Sequence, residues 1–200
     1  MKKFVILLLL VCTAATFSQS KKNKKLIQEI VGLWKLDDNN NVTYTKIIEG
    51  INLSKDEIYT RALAYFTYNY GDGDSVVQVQ DKEKGTIVAK GLYEKAHVGI
   101  SLVTYIFDTW HVLRIDIKEN RARILLSLTN YNYTVSGGST PDVKNTIPIS
   151  SNYPVTQKGH TKNQFAQAFY KSHKRAEATL LAIEKALKEG NTFNSEQDDW

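Results

Sequence analysis

Residues 112–128, VLRIDIKENRARILLSL, alternate apolar and polar side chains on both sides of Glu119 and Asn120. If these two residues form a hairpin loop, every inward-facing pair is apolar, because successive side chains of a strand point to opposite faces. Beyond a Lys118–Arg121 pair, the inward pairs are Ile117 with Ala122, Ile115 with Ile124 and Leu113 with Leu126. On the other face Asp116 meets Arg123. The pattern predicts an antiparallel sheet that is covered on one face only.

A further hairpin is predicted in residues 76–91, VVQVQDKEKGTIVAKG. The aspartate and the two glycines suggest a loop that cradles a ligand, but the alternation on both sides favours a turn. With residues 83–85 as the loop, Gly85 takes the left-handed conformation that glycine tolerates without strain. This register places Lys82 opposite Thr86, Val79 opposite Ala89 and Val77 opposite Gly91. Between the two hairpins, residues 97–110 are also β-rich, but their register stays open.

Two helices are predicted from capping residues and apolar spacing. After a predicted strand at 42–49, Ser54 and Glu57 form a capping-box pattern, and the helix that follows ends at the glycines of residues 71–74. Thr161 and Gln164 repeat the pattern before a helix about 40 Å long that ends at Gly190. The apolar stripe of that helix comprises Phe165, Phe169, Ser172, Ala176, Leu180, Ile183 and Leu187. The connection from Ser136 to Gly159 shows no period, and so long a connection is typical of a functional or mobile loop.

The first 18 residues have the layout of a cleaved signal peptide, with two lysines, an apolar run and then small or polar residues. The run is shorter than the roughly 20 residues of a transmembrane helix. The bulky Val11 before Cys12 argues against a lipoprotein. We therefore expect export to the periplasm or cell envelope without a transmembrane anchor. Residues 19–41 are predicted as a leader segment, residues 42–190 as a single α+β domain and residues 191–200 as a flexible tail. The basic KKNKK at 21–25 is predicted to be solvated, in preference to a membrane-surface anchor.

Composition and spacing argue against several functional classes. Cleavage would remove Lys2 and Lys3 and lower the formal charge from +5 to +3, which gives little support to nucleic-acid binding. It would also remove Cys12, the single cysteine, and with it disulfide or thiolate chemistry. Asp72 and Asp74 could open a calcium loop, but the later ligands are missing, because the hydrophobic strand VVQVQ occupies their positions. A helix C-cap followed by a turn is favoured instead. No metal site is therefore expected.

The four histidines are the best places to look for an enzyme. None belongs to a metal-ligand spacing, and position in the sequence supplies no catalytic partner. We therefore expect surface or turn histidines and predict neither catalysis nor a cofactor. The residues are His97, His111, His160 and His173.

The uncovered face of the sheet is the predicted binding surface. Continuing the alternation places Tyr131 and Tyr133 on this face with Arg114, Arg121 and Arg123. Arginine and tyrosine are enriched at energetically important interface positions. These five residues are the candidate site for an envelope protein or an anionic glycan. The alternative is a solvated face whose arginines pair with Asp116 and nearby acids.

The order strand, capped helix, antiparallel strands and long final helix resembles the domain of unknown function numbered 4468, found mostly in exported proteins of Bacteroides-type bacteria. The SKDEIY helix start, the hairpin at 76–91, the VLRIDIKENRARI segment and the final helix carry the resemblance. It implies a fold like that of the TATA-box-binding protein (TBP): a curved antiparallel sheet with helices on one face. It implies neither DNA binding nor a catalytic residue, because function lies in sites and not in folds.

Three functional classes follow from these observations. The first is a non-catalytic binding module that uses the open sheet face. The second is a structural or assembly component that docks through the C-terminal helix or tail. A hydrolytic enzyme is the least favoured class.

Overall fold

One antiparallel sheet and the helices on its inner face make up the described chain, residues 21–70, 76–137, 140–157 and 161–190 of a computed structural model. The helices are α1 (Lys21–Glu29), α2 (Lys55–Asn69) and α3 (Lys162–Glu189). The strands are β1 (Lys35–Leu36), β2 (Val42–Glu49), β3 (Val76–Asp81), β4 (Thr86–Ile100), β5 (Thr104–Lys118), β6 (Arg121–Gly137) and β7 (Thr140–Pro148). The predicted signal peptide, the turn at 71–74, His160 and the predicted tail lie outside these residues.

The strand order is β1-β2-β6-β5-β4-β3, and β7 lies beside β6. The first half of β6 pairs with β2 and its second half pairs with β7. Inner-face residues such as Ile115, Ile124 and Leu126 are buried under α2 and α3. The predicted α+β class, with helices on one face and a long C-terminal helix, is confirmed.

The predicted hairpin at Glu119 and Asn120 forms with the expected register. Lys118 lies opposite Arg121, Ile115 opposite Ile124, and Leu113 opposite Leu126. Asn120 adopts a φ of 60°, and its side chain accepts a hydrogen bond from the backbone N–H of Asn52. Local turn chemistry and inward packing therefore specify the same register.

The hairpin at 76–91 forms, but its predicted register is wrong. Asp81, and not Lys82, lies opposite Thr86, because the Asp81 carboxylate accepts a hydrogen bond from the backbone N–H of Lys84 and starts the turn one residue earlier. A bulge between Val77 and Val79 shifts the pairing again, so Val77 lies opposite Ala89. Val79 lies opposite Val88, on the outer face, and is 48% exposed.

The two glycines of this hairpin have different functions in the fold. Gly85 adopts the predicted left-handed conformation, with a φ of 69°. Gly91 lies opposite His111, and not opposite Val77 as predicted. A Cβ atom at position 91 would come within 2.5 Å of His111 Nε2. Gly91 therefore makes room for the His111 ring on the inner face.

A bulge in β6 overturns the predicted orientation of the two tyrosines. His111 pairs with Leu128 and Thr109 pairs with Tyr131, so one β5 residue lies opposite two residues of β6. This extra residue reverses the alternation from there onward. Tyr131 is fully buried on the inner face, and its ring packs against Phe107. Tyr133 also points inward and stacks on Phe107 with ring centroids 5.4 Å apart.

Helix α2 confirms its predicted cap. The Ser54 side chain accepts from the backbone N–H of Glu57, and the Glu57 side chain accepts from that of Ser54. The cap predicted for α3 is wrong: Thr161 has a φ of 56° and makes no side-chain cap. The Gln164 side chain instead accepts a hydrogen bond from His97. The predicted apolar stripe of α3 is buried along its whole length, and Gly190 follows its end.

Two segments predicted without regular structure contribute to the fold. The connection 136–159 contains β7, which has Pro141 and Pro148 near its ends and lies at an edge of the sheet, where proline is tolerated. The segment predicted as a leader contains α1 and β1. The Asn23 side chain of α1 donates a hydrogen bond to the Asn163 side chain of α3 at 2.9 Å.

Within the described ranges, no helix has the length and apolar character needed to cross a membrane.

Candidate binding surfaces on the open sheet face

Three predicted site residues, Arg114, Arg121 and Arg123, lie on the outer face of the sheet. Arg114 Nε lies 2.8 Å from Asp116 Oδ1, and Arg123 Nη2 lies 2.7 Å from Asp116 Oδ2. Both arginines therefore pair with Asp116, as the alternative expected: Arg123 pairs with it across the strands, and Arg114 pairs with it along β5. Burial would raise the pKa of Asp116, but hydrogen bonds and charge from Arg123 and Arg114 outweigh it and lower the pKa.

Arg121 lies beyond this ion-pair cluster and is exposed. It lies opposite Lys118 on one side and Glu49 on the other. A shallow depression of about 250 Å³ is lined by residues of β2, β5 and β6 at this end of the sheet. We call Ile47, Arg114, Asp116, Lys118, Arg121 and Arg123 the arginine surface.

Apolar side chains continue the arginine surface across the sheet. Ile47 on β2 is 62% exposed, and Leu125, opposite Arg114, is half-buried. Val112 and Val88 are also half-buried on this face. In the described part of the chain the helices pack on the inner face, so none of them covers these residues. An outer face of this composition differs from the polar exterior expected of a sheet covered on one side.

A second depression, of about 350 Å³, lies on the outer face beyond the β6 bulge. Strands β5, β6 and β7 each supply polar side chains to it. We call it the polar groove and define it by the outer-face residues Asp108, Asn132, Thr134, Lys144 and Thr146. Sequence reasoning missed this site because the bulge, which brings Asn132 and Thr134 to the outer face, was not anticipated.

Three histidines are buried between the sheet and the helices and do not lie at the surface, contrary to prediction. His97, His111 and His173 are at most 6% exposed. The alternation of β5 could have revealed His111, which lies two residues before the inward-facing Leu113. The fourth histidine is outside the described residues.

Each buried histidine has specific polar neighbours. His97 Nε2 donates to Gln164 Oε1 at 2.8 Å, while Lys171 donates to Nδ1 at 3.1 Å. His173 Nδ1 lies 3.0 Å from the Tyr44 hydroxyl. His111 Nε2 lies 3.3 Å from the Tyr70 hydroxyl.

Burial lowers the pKa of all three histidines, and it lowers the pKa of His111 to about 4. They are therefore neutral in the fold near pH 7. These contacts join the helices to the sheet. In the described chain no group of three His, Cys, Asp or Glu side chains could hold a metal ion.

Part of the chain matches a known family. Residues 44–134 match the domain of unknown function DUF4468 with TBP-like fold. The predicted resemblance to DUF4468 is confirmed. The DUF4468 stretch runs from β2 to β6, so it includes the whole arginine surface and the β5 and β6 sides of the polar groove. Strand β7 and helix α3 lie beyond the matched residues.

Two solved structures have a fold similar to that of this chain. A TBP-like protein from Parabacteroides distasonis is similar with a TM-score of 0.55 and 19% identity, over 78% of this chain and 97% of that chain. A DUF4468 family protein from Bacteroides ovatus is similar with a TM-score of 0.52 and 15% identity, over 81% of this chain and 94% of that chain. At these identities the likeness shows the fold alone. No curated protein matches the sequence.

Proposed function

We propose that this protein is a non-catalytic binding module of the cell envelope, and that its arginine surface binds a partner protein. The observation that carries the proposal is the exposed Ile47, which lies opposite Arg123 and lines the same depression as Arg121, on a sheet face that no described helix covers. An apolar contact area with arginines at its centre is typical of interface positions that contribute most to binding. Export, predicted from the first 18 residues, would place the module in the periplasm or at the cell envelope.

The charge arrangement favours a protein over an anionic glycan. Asp116 already neutralises much of the charge of Arg114 and Arg123. A polyanion would gain most from arginines that have no acidic neighbour. A partner protein with an aliphatic patch and one or two acidic residues would match Ile47, Leu125 and Arg121 together.

Matched double variants test this proposal. Ile47→Ser with Arg121→Glu changes the arginine surface, and Leu181→Ser with Lys185→Glu makes the same kind of change on α3. Leu181 is 59% exposed and Lys185 is also exposed, so neither double variant disrupts the core. A photo-crosslinking residue at position 47, and in a separate sample at position 181, identifies partners in the native cell envelope.

We expect a specific protein crosslink from position 47 that the Arg121→Glu change abolishes. Crosslinks from position 181 alone, lost in the α3 variant, would contradict the proposal and favour the structural class that docks through the C-terminal helix. A truncation at Gly190 examines the tail in the same assay. Salt-sensitive retention on immobilised alginate that depends on Arg121, without a protein crosslink, would favour an anionic glycan.

A further inference from the structure

The polar groove presents hydrogen-bonding groups in a line across three strands. Asp108 on β5 lies directly opposite Asn132 on β6, which lies directly opposite Thr146 on β7. In the next row, Thr134 lies opposite Lys144. The line from β5 to β7 spans two strand spacings, about 10 Å. A ligand lying across it would meet a carboxylate, a carboxamide and a hydroxyl in succession.

Existing hydrogen bonds orient these groups and leave others available to a ligand. Thr146 Oγ1 donates to Asn132 Oδ1 at 2.8 Å, and the backbone N–H of Lys95 donates to Asp108 Oδ1 at 2.7 Å. Among the described residues, no hydrogen bond uses Asp108 Oδ2 or Asn132 Nδ2. An acceptor and a two-proton donor therefore lie side by side on neighbouring strands.

The charges of the polar groove select for a neutral ligand. Asp108 and Lys144 carry opposite charges, so each offsets the attraction of the other for an anion or a cation. Two strand spacings and one row separate these residues, which is too far for both charges of a compact zwitterion such as a free amino acid. A neutral ligand with many hydroxyl groups can bond to every member, because hydroxyls both donate and accept.

One aromatic side chain follows the polar groove along β5, outside the residues that line the depression. Trp110 lies two residues from Asp108 on the same face of β5 and is half-buried, and the Lys90 ammonium lies 4.3 Å from the centre of a ring of Trp110. Ligand sites combine an apolar wall with a few polar groups that fix orientation. A sugar ring has this duality, with an apolar C–H face and hydroxyl edges. We propose that the polar groove binds a neutral saccharide, at a site separate from the arginine surface.

An NMR titration of the ¹⁵N-labelled full chain tests the proposal. The probes are maltotriose, cellotriose and triacetylchitotriose. We expect at least one probe to give saturable shifts at the amides of Asp108, Asn132 and Thr146 and at the Trp110 indole N–H. Absence of saturable shifts with all three trisaccharides overturns the proposal.

Two variants and a control make the titration specific. Asn132→Ala with Thr146→Ala should weaken affinity at least tenfold while the remaining amide spectrum stays native. Asp108→Asn should also weaken binding, although its amide oxygen can still accept from Lys95 N–H. The Ile47→Ser, Arg121→Glu double variant should bind the same probe unchanged. Undiminished affinity in the folded Asn132, Thr146 variant would place the sugar elsewhere and refute the assignment.

Discussion

Acid should weaken the fold through His111, and replacing this histidine by glutamine should remove most of that part of the effect. His111 is 1% exposed, and its ring stacks on Tyr93 with centroids 4.1 Å apart. A glutamine cannot titrate in this range, yet its side chain can reach the Tyr70 hydroxyl. The comparison therefore separates proton binding from the general loss of packing.

The magnitude follows from the lowered pKa. Burial lowers the pKa of His111 from 6.5 to about 4 in the folded state, so the unfolded chain binds the proton first as the pH falls. Stability due to neutral His111 is complete above the unfolded pKa and is lost as the pH falls towards the folded pKa. Between about pH 7.5 and pH 5, one such site costs about 2 kcal/mol of unfolding free energy.

Urea unfolding at several pH values, followed by circular dichroism, provides the measurement. The unfolding free energy of the native sequence should fall by about 2 kcal/mol more than that of His111→Gln over this interval. His97 and His173 add a loss of the same sign, since burial also lowers the pKa of each. Both remain in the variant, so they cancel in the difference. Equal pH slopes for the two proteins would show that His111 titrates normally in the fold.

Three other substitutions test packing and capping. Gly91→Ala should lower the unfolding free energy by about 1–3 kcal/mol, because the new methyl group would overlap the His111 ring. Thermal melts should show this loss. The loss caused by Gly91→Ala should be smaller when it is measured in a His111→Ala background. Tyr131→Phe should be neutral or stabilising by up to about 1 kcal/mol in urea unfolding, because the buried hydroxyl has no hydrogen-bond partner among the described residues. A marked loss of unfolding free energy would show that the hydroxyl has a partner. Ser54→Ala should cost about 1 kcal/mol through loss of the α2 cap, whereas Ser54→Asp should retain most of it.

The parts of the fold that local patterns specify were predictable from the sequence. The Glu119–Asn120 hairpin, the Ser54 cap and the α3 stripe each depend on residues that are close in sequence or repeat with a fixed period. A bulge breaks this logic because one extra residue reverses every later position, as Tyr131 and Tyr133 demonstrate. Nothing local in the sequence distinguishes the extra residue beside Trp110 from its neighbours.

The candidate site could be predicted only in part for the same reason. The three arginines were assigned to the correct face, since no irregularity separates them from the hairpin turn. The polar groove and the buried histidines depend on contacts between residues far apart in the sequence, as the bond between His97 and Gln164 illustrates. Thr161 and Gln164 have the spacing of a capping box, but Thr161 adopts a left-handed conformation and its side chain does not cap α3.

The extra residue in β6 also sets a rule for aligning related chains. A relative that lacks the extra residue must exchange the aromatic and polar residues between positions 131 and 137 to keep the same core. A relative that retains the extra residue must keep the order of aromatic and polar residues found here. An alignment would therefore show from sequence alone which relatives have the polar groove. A relative without it would have a single-residue gap near position 130 together with that exchange.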